Sequence, residues 1–186
     1  MPTSESSFVR QLSGWKLTSK RYTESQMENV GMMMPDQRKR VMVVVDQSIH
    51  SKHAMLWALT HVANQGDMLT LLQIQVTPNF NNASSSLVTS LGTLCKACKP
   101  EVEVEALVIQ GGPKLETVVN QVKKLDVSVL VLGQNNSSPI LRCTEKFVEQ
   151  CINRVECLTI GVRKQSKGIG GYLISTRWHK DFWLLA

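Results

Sequence analysis

The sequence predicts an α/β protein built on a doubly wound parallel sheet with helices on both faces, and three observations carry that prediction. Short apolar, β-branched runs alternate with stretches whose apolar residues recur at helical spacing, through five successive β units. Two of the runs, 41–45 and 127–132, are apolar almost throughout, as strands buried on both faces of a parallel sheet must be. The 186 residues suffice for one domain with a real core and are too few for two domains plus extensions.

Residues 1–39 lack sustained periodicity, are rich in Ser, Thr, Lys and Arg, and read as a basic extension. Phe8, Leu12 and Trp15 fall at i, i+4 and i+7 among Arg10, Lys16, Lys20 and Arg21, which suits either a short basic amphipathic helix or a disordered tail with a few adhesive side chains. Ser13, preceded by Arg10, has the spacing that basophilic kinases favour and is a candidate phosphorylation site.

The first β unit starts at Arg40. Val41 to Val45 form a strand that stops at Asp46, Ser48 and Ser51 offer N-cap oxygens, and Ala54, Met55, Ala58, Leu59 and Val62 share one helix face. Gly66-Asp67 closes that helix, and Leu69 to Val76 make a second strand stopped by Thr77-Pro78. After a polar loop, Leu87, Val88, Leu91, Leu94, Cys95 and Cys98 define a helical stripe ending at Lys99-Pro100.

Glu101 to Ile109 alternate charged and β-branched residues, the pattern of an edge strand with one wet face. Gly111-Gly112-Pro113 then turns into a helix with Leu115, Val118, Val119, Val122 and Leu125 on its core face. Val127 to Leu132 form a central strand ending at Gly133. A last helix carries Phe147, Val148, Cys151, Ile152 and Val155 inward, and Leu158 to Val162 form the fifth strand. Residues 165–186 are a C-terminal tail that holds Tyr172, Trp178, Phe182 and Trp183, aromatic side chains that must bury against the domain, a partner or a membrane surface.

Charge and cysteine usage exclude several function classes. Of the +6 net charge, residues 1–40 hold seven Lys/Arg against four Asp/Glu, residues 41–163 ten against ten, and residues 164–186 four against one. A nucleic-acid-binding domain places its basic patch on the folded body, and here the body is neutral. Cys95 and Cys98 have CxxC spacing, but a reactive thiolate needs a helix N-terminus and structural zinc needs a second ligand pair. Both lie at the C-terminal end of their helix on its apolar face, so both are expected to be buried core thiols; His50 and His53 belong to another unit and no metal ligand set forms. Five cysteines, no leader-like N-terminus and no apolar run near the ~20 residues of a membrane span predict an intracellular, cytoplasmic protein with reduced thiols.

VVVDQSIHSKHAMLWAL (43–59), VSVLVLG (127–133) and CLTIGVRK (157–164) resemble the universal stress protein family, within the adenine nucleotide alpha hydrolase-like superfamily and particularly its plant single-domain members. The resemblance spans about residues 40–164, and the tail GGYLISTRWHKDFWLLA is similar to tails appended to plant members. It implies a flavodoxin-like five-stranded sheet of order 3-2-1-4-5, with a ligand crevice between Asp46 and Gly133 at the topological switch point. It also implies a homodimer through the last strand, 158–162, where Thr159 and Gly161 leave room for a partner strand.

In nucleotide-binding members the carboxylate after the first strand meets adenine or ribose, and Gly, two residues, Gly, nine residues, Gly-Ser/Thr after the fourth strand cradles the phosphates. Asp46, with Gln47 and Ser48 beside it, and Gly133 match, and Gly111 and Asn135 lie in the corresponding loops. Asn136 stands at the second glycine; Glu145-Lys146, or Lys146-Phe147 counting forward, stands where Gly-Ser is expected, with Thr144 as a nearby hydroxyl. A phosphate cradle needs close backbone N–H groups, and Glu145 adds negative charge there. The resemblance and these departures together imply a regulatory stress-response protein with a degenerate ATP/AMP pocket and no catalytic residues. A functional ATP/AMP sensor or weak hydrolase, and an adaptor acting through its basic ends, are the alternatives.

Overall fold

The computed structural model describes residues 38–75, 83–135, 142–165 and 171–184. The amphipathic segment around Phe8, Leu12 and Trp15 and the candidate site Ser13 lie outside the described residues, as does most of the 1–39 extension.

Seven described strands form one sheet: β1 (Arg40–Val44), β2 (Met68–Gln75), β3 (Glu103–Gln110), β4 (Val129–Gly133), β5 (Leu158–Lys164), β6 (Tyr172–Ser175) and β7 (Phe182–Leu184), in the order β3-β2-β1-β4-β5-β6-β7. The first five are mutually parallel, in the expected order 3-2-1-4-5. The apolar strands β1 and β4 lie side by side at the centre of these five, in register from Val41 against Val129 to Val44 against Leu132. The alternating strand β3 takes the outer position, where one face stays wet.

Four described helices cover the sheet: α1 (Ile49–His61), α2 (Ala83–Cys98), α3 (Lys114–Lys124) and α4 (Arg142–Arg154). Because strand side chains alternate, Met42, Val44, Leu130 and Leu132 face α3 and α4, where they pack with Val118, Val122, Val148, Cys151 and Ile152. Val41, Val43, Val129 and Val131 point the other way, toward the side of α1, which buries Ala54, Met55, Trp57, Ala58 and Leu59. Long cations close the helix ends. Lys39 Nζ donates to the Val62 carbonyl at 2.6 Å and Lys99 Nζ to those of Leu59 and Ala63 at 3.2 and 2.6 Å, all at the C-terminus of α1.

The tail extends the sheet. β6 pairs antiparallel with β5, from Gly161 against Ser175 to Lys164 against Tyr172, and β7 pairs antiparallel with β6. Tyr172 meets His61 edge-on at 6.5 Å, and His61 stacks on Trp57 at 5.3 Å, tying the tail to α1. Arg177 reaches the far side, where Nη2 lies within 3.2–3.4 Å of the carbonyls of Ile152, Asn153 and Val155 at the end of α4.

Three expectations are corrected here. The segment 158–162 is only partly an open edge, since β6 pairs with β5 from Gly161 to Lys164 and so takes up Gly161 and Val162, while Leu158 to Ile160 are not paired with it. Gly161 does not make room for a second chain: a Cβ there would meet the Gln134 amide and Val148 Cγ1 at 2.8 Å, so its smallness serves the packing of α4 on its own sheet. Cys98 is exposed, as is Leu94, while Cys95 is fully buried. The six-residue stripe is wider than the face α2 buries: Val88, Leu91 and Cys95 lie on that face, while Leu94 and Cys98 fall outside it. No helix among the described residues is long and apolar enough to cross a membrane.

Burial, with the neighbouring Cys98, pushes the Cys95 thiol up to about 11, and burial pushes Cys151 up to about 12. Brief iodoacetamide treatment read by mass spectrometry should therefore label Cys98 well before Cys95 or Cys151. Cys95→Ala should cost on the order of 1 kcal/mol or more in urea unfolding, and Cys98→Ala close to nothing. Arg177→Ala, which strips the cap from α4, should cost about 1 kcal/mol in the same measurement.

Candidate functional site

The crevice forms where β1 and β4, with their chains leaving toward opposite sides, end next to each other. Val44, Asp46, Ser48, His50, Ser51, Leu132, Gly133 and Asn135 line it from the strand ends and the first turn of α1, and Lys114 and Phe147 from α3 and α4. They enclose a cavity of about 140 Å³.

The β1–α1 turn is held by its own side chains. Ser48 is the N-cap of α1 and accepts the Ser51 N–H at 3.2 Å. Buried Ser51 accepts the Asp46 N–H at 3.1 Å through Oγ and donates back to the Asp46 carbonyl at 2.9 Å. Asp46 Oδ1 accepts the Ser48 N–H at 2.9 Å, an Asx turn that fixes the carboxylate at the rim. Across the crevice, Lys114 Nζ lies 3.8 Å from Asp46 Oδ2 and 4.6 Å from the centroid of the Phe147 ring. Partial burial raises the Asp46 pKa, but hydrogen bonds from Ser48, the Lys114 charge and Ser51 outweigh it and hold the carboxyl below its ordinary 3.8.

Gly133 is required by close approach. A Cβ there would stand 2.6 Å from the His50 carbonyl oxygen and 2.8 Å from the Ser51 nitrogen, both backbone atoms. The next residue, Gln134, turns inward against Gly161 and is buried with its Oε1 unpartnered in the protein. Gly111 and Gly112, at φ +78° and +82°, form the left-handed turn after β3 that delivers Lys114.

Of the residues singled out from sequence, Asp46, Ser48, Gly133 and Asn135 come together around the cavity. Gln47 and Lys146 are exposed and Gly111 stays in its turn, so none of these three lines it. Asn136 lies outside the described residues; Thr144 and Glu145 fall in the first turn of α4, with side chains outside those described. Sequence reasoning did not assign His50 or Lys114 to the site, and it named Ser51 only as an N-cap oxygen and Phe147 only as a core residue and in the forward register of the Gly-Ser position. Lys114 carried a usable signal, a cation in the first turn of a helix, where the macrodipole disfavours it and an anion should be near.

Two outcomes follow from this geometry. Gly133→Ala forces the first turn of α1 away from β4 and should destabilise the fold by about 1–3 kcal/mol in urea. Asp46 has a lowered folded-state pKa, so the unfolded chain binds the extra proton between the two values; its contribution is full above pH 3.8 and is lost as pH falls through the folded value. Acid unfolding followed by circular dichroism should show a shallower loss below pH 3.8 for Asp46→Asn than for wild type.

Several solved structures of universal stress proteins share this architecture. A universal stress protein in complex with cAMP is 16% identical and superposes with a TM-score of 0.57, over 68% of this chain and 97% of that one. Universal stress proteins from Archaeoglobus fulgidus (14% identity, TM-score 0.53, 67% and 97% coverage) and Lactobacillus plantarum (16%, 0.52, 66% and 96%) show the same fold. No match to a curated protein was found. The family model described as universal stress protein covers residues 37–163, the stretch that contains all five parallel strands, the four helices and the crevice, and on that match the chain belongs to the universal stress protein family.

Proposed function

We propose that this protein is a regulatory member of its family whose adenine-nucleotide pocket is degenerate, acting through protein contacts rather than catalysis. The observation that carries the reading is the replacement of two glycines at the phosphate end. The described crevice, about 140 Å³, is small beside the roughly 300–1,000 Å³ of small-molecule sites, and residues 136–141, which follow Asn135 at its rim, lie outside the described residues. Asp46 stands at the nucleoside end and Gly133 is the first glycine of the phosphate pattern, while Asn136 and Glu145 replace its later glycines in sequence.

The exposed aromatic side chains of the C-terminal hairpin support the interaction half of the reading. Trp178, Phe182 and Trp183 are 55%, 44% and 42% exposed. With Gly161 and Val162 already paired to β6, this proposal favours contacts through the hairpin over a homodimer built on 158–162.

A second reading, a nucleotide-binding sensor, is favoured by the cAMP held by a protein of the same fold. Calorimetry separates the two. ATP should bind the wild type in the high micromolar range or weaker, and Asn136→Gly with Glu145→Gly and Lys146→Ser should recover preference for ATP over adenosine, because charge-assisted hydrogen bonds to phosphate contribute about 1.5–3 kcal/mol each. Tight ATP binding by the wild type sinks the degenerate-pocket reading in favour of the sensor.

A further inference from the structure

Asp46 is the single carboxylate among the described residues lining the crevice; one of its oxygens takes a hydrogen bond and the other stands in ion-pair range of a lysine. Oδ1 accepts the Ser48 N–H at 2.9 Å and Oδ2 faces the Lys114 ammonium at 3.8 Å. Lys114 is the first residue of α3, delivered by the left-handed Gly111-Gly112 turn, and its charge sits at the positive end of that helix. The carboxylate of Asp46 and the face of Phe147, 4.6 Å from the ammonium, are what compensate it there. The side chain therefore spans the crevice from α3 to the end of β1, over a ring contributed by α4.

We infer that Lys114 is a specificity-determining latch: by claiming the Asp46 carboxylate and covering the Phe147 ring, it shuts the crevice to uncharged nucleosides. The inference rests on the reading of the crevice as a nucleoside pocket and says what keeps it closed. A nucleoside needs a carboxylate free to accept its hydroxyl or amino hydrogens and an apolar face for its base. Lys114 holds both. The latch is also of the kind that opens without unfolding anything, because the Lys114 and Asp46 side chains remain 37% and 49% exposed and their attraction is screened by salt.

Titration calorimetry of adenosine into the full chain tests it. Lys114→Met removes the ammonium from both the Asp46 carboxylate and the Phe147 ring; it should bind adenosine about tenfold or more tightly than wild type. Lys114→Arg, which keeps a cation at the site, should remain at the wild-type level. Lys114→Met with Asp46→Asn should fall back toward it, since the gain depends on the freed carboxylate. Independently of any substitution, wild-type affinity for adenosine should rise from about 0.02 M to about 0.5 M salt, although the ligand carries no charge. Adenosine affinity in Lys114→Met equal to wild type, including no measurable binding by either, overturns the latch, as does a salt-independent wild type or a gain that survives Asp46→Asn. Those results differ from failure of the pocket reading itself, which is tight ATP binding by the unmodified protein.

Discussion

The approach of Gly133 to the backbone of α1 is the contact on which the carboxyl edge of the sheet depends. With no Cβ in the way, the carbonyl of His50 and the N–H of Ser51 come down onto the end of β4. That fixes the first turn of a helix that begins at the neighbouring strand, β1, and so locks two strand ends to one helix start. The Asp46, Ser48 and Ser51 hydrogen bonds then have a single arrangement available, and the carboxylate is presented at the rim. The same glycine that family likeness assigns to a ligand is thus demanded by packing alone, whether or not anything binds. Its presence in the sequence is weaker evidence for nucleotide binding than it looks.

The parallel half of the fold was legible because its signals are periodic. Val41 to Val45 and Val127 to Leu132 could be placed centrally from composition, since only strands covered on both faces dispense with polar residues. Glu101 to Ile109 could be placed outside them from alternation. The tail resisted the same treatment. Tyr172 to Ser175 and Phe182 to Leu184 are too short for either period to develop, and their pairing partner is set by where β5 happens to lie. In the crevice, Asp46, Ser48 and Gly133 were found because they flank strands; Lys114 and Phe147 were not, because they arrive from helices distant in sequence and a helical stripe read only as core hides a ring that also faces a cavity. Cys98 was misplaced for the opposite reason, its stripe being real but only partly covered.

The distribution of charge also acquires a structural meaning. The body is neutral by count, and several cations in it and on its flanks are withdrawn from the surface field by helix carbonyls or acids: Lys39 and Lys99 on the end of α1, Arg177 on the end of α4, Arg163 on Asp181, Lys114 on Asp46. Long side chains do the capping that short loops leave undone, since each of these helices ends close to a strand from another part of the chain. Basic composition here is architecture before it is recognition.

The antiparallel pairing of β6 on β5 bears on how the chain reaches its fold. Every parallel neighbour in the sheet is separated in sequence by a crossover helix, so β5 meets β4 across α4, a non-local contact that forms slowly compared with a local hairpin. During that delay a strand such as LTIGVRK is a template for the wrong chain. Ser175 reaches Gly161, and Tyr172 reaches Lys164, across a connection of a few residues. Closure in cis is therefore the more local pairing, and it covers Gly161 to Lys164 of the strand most exposed to misassembly.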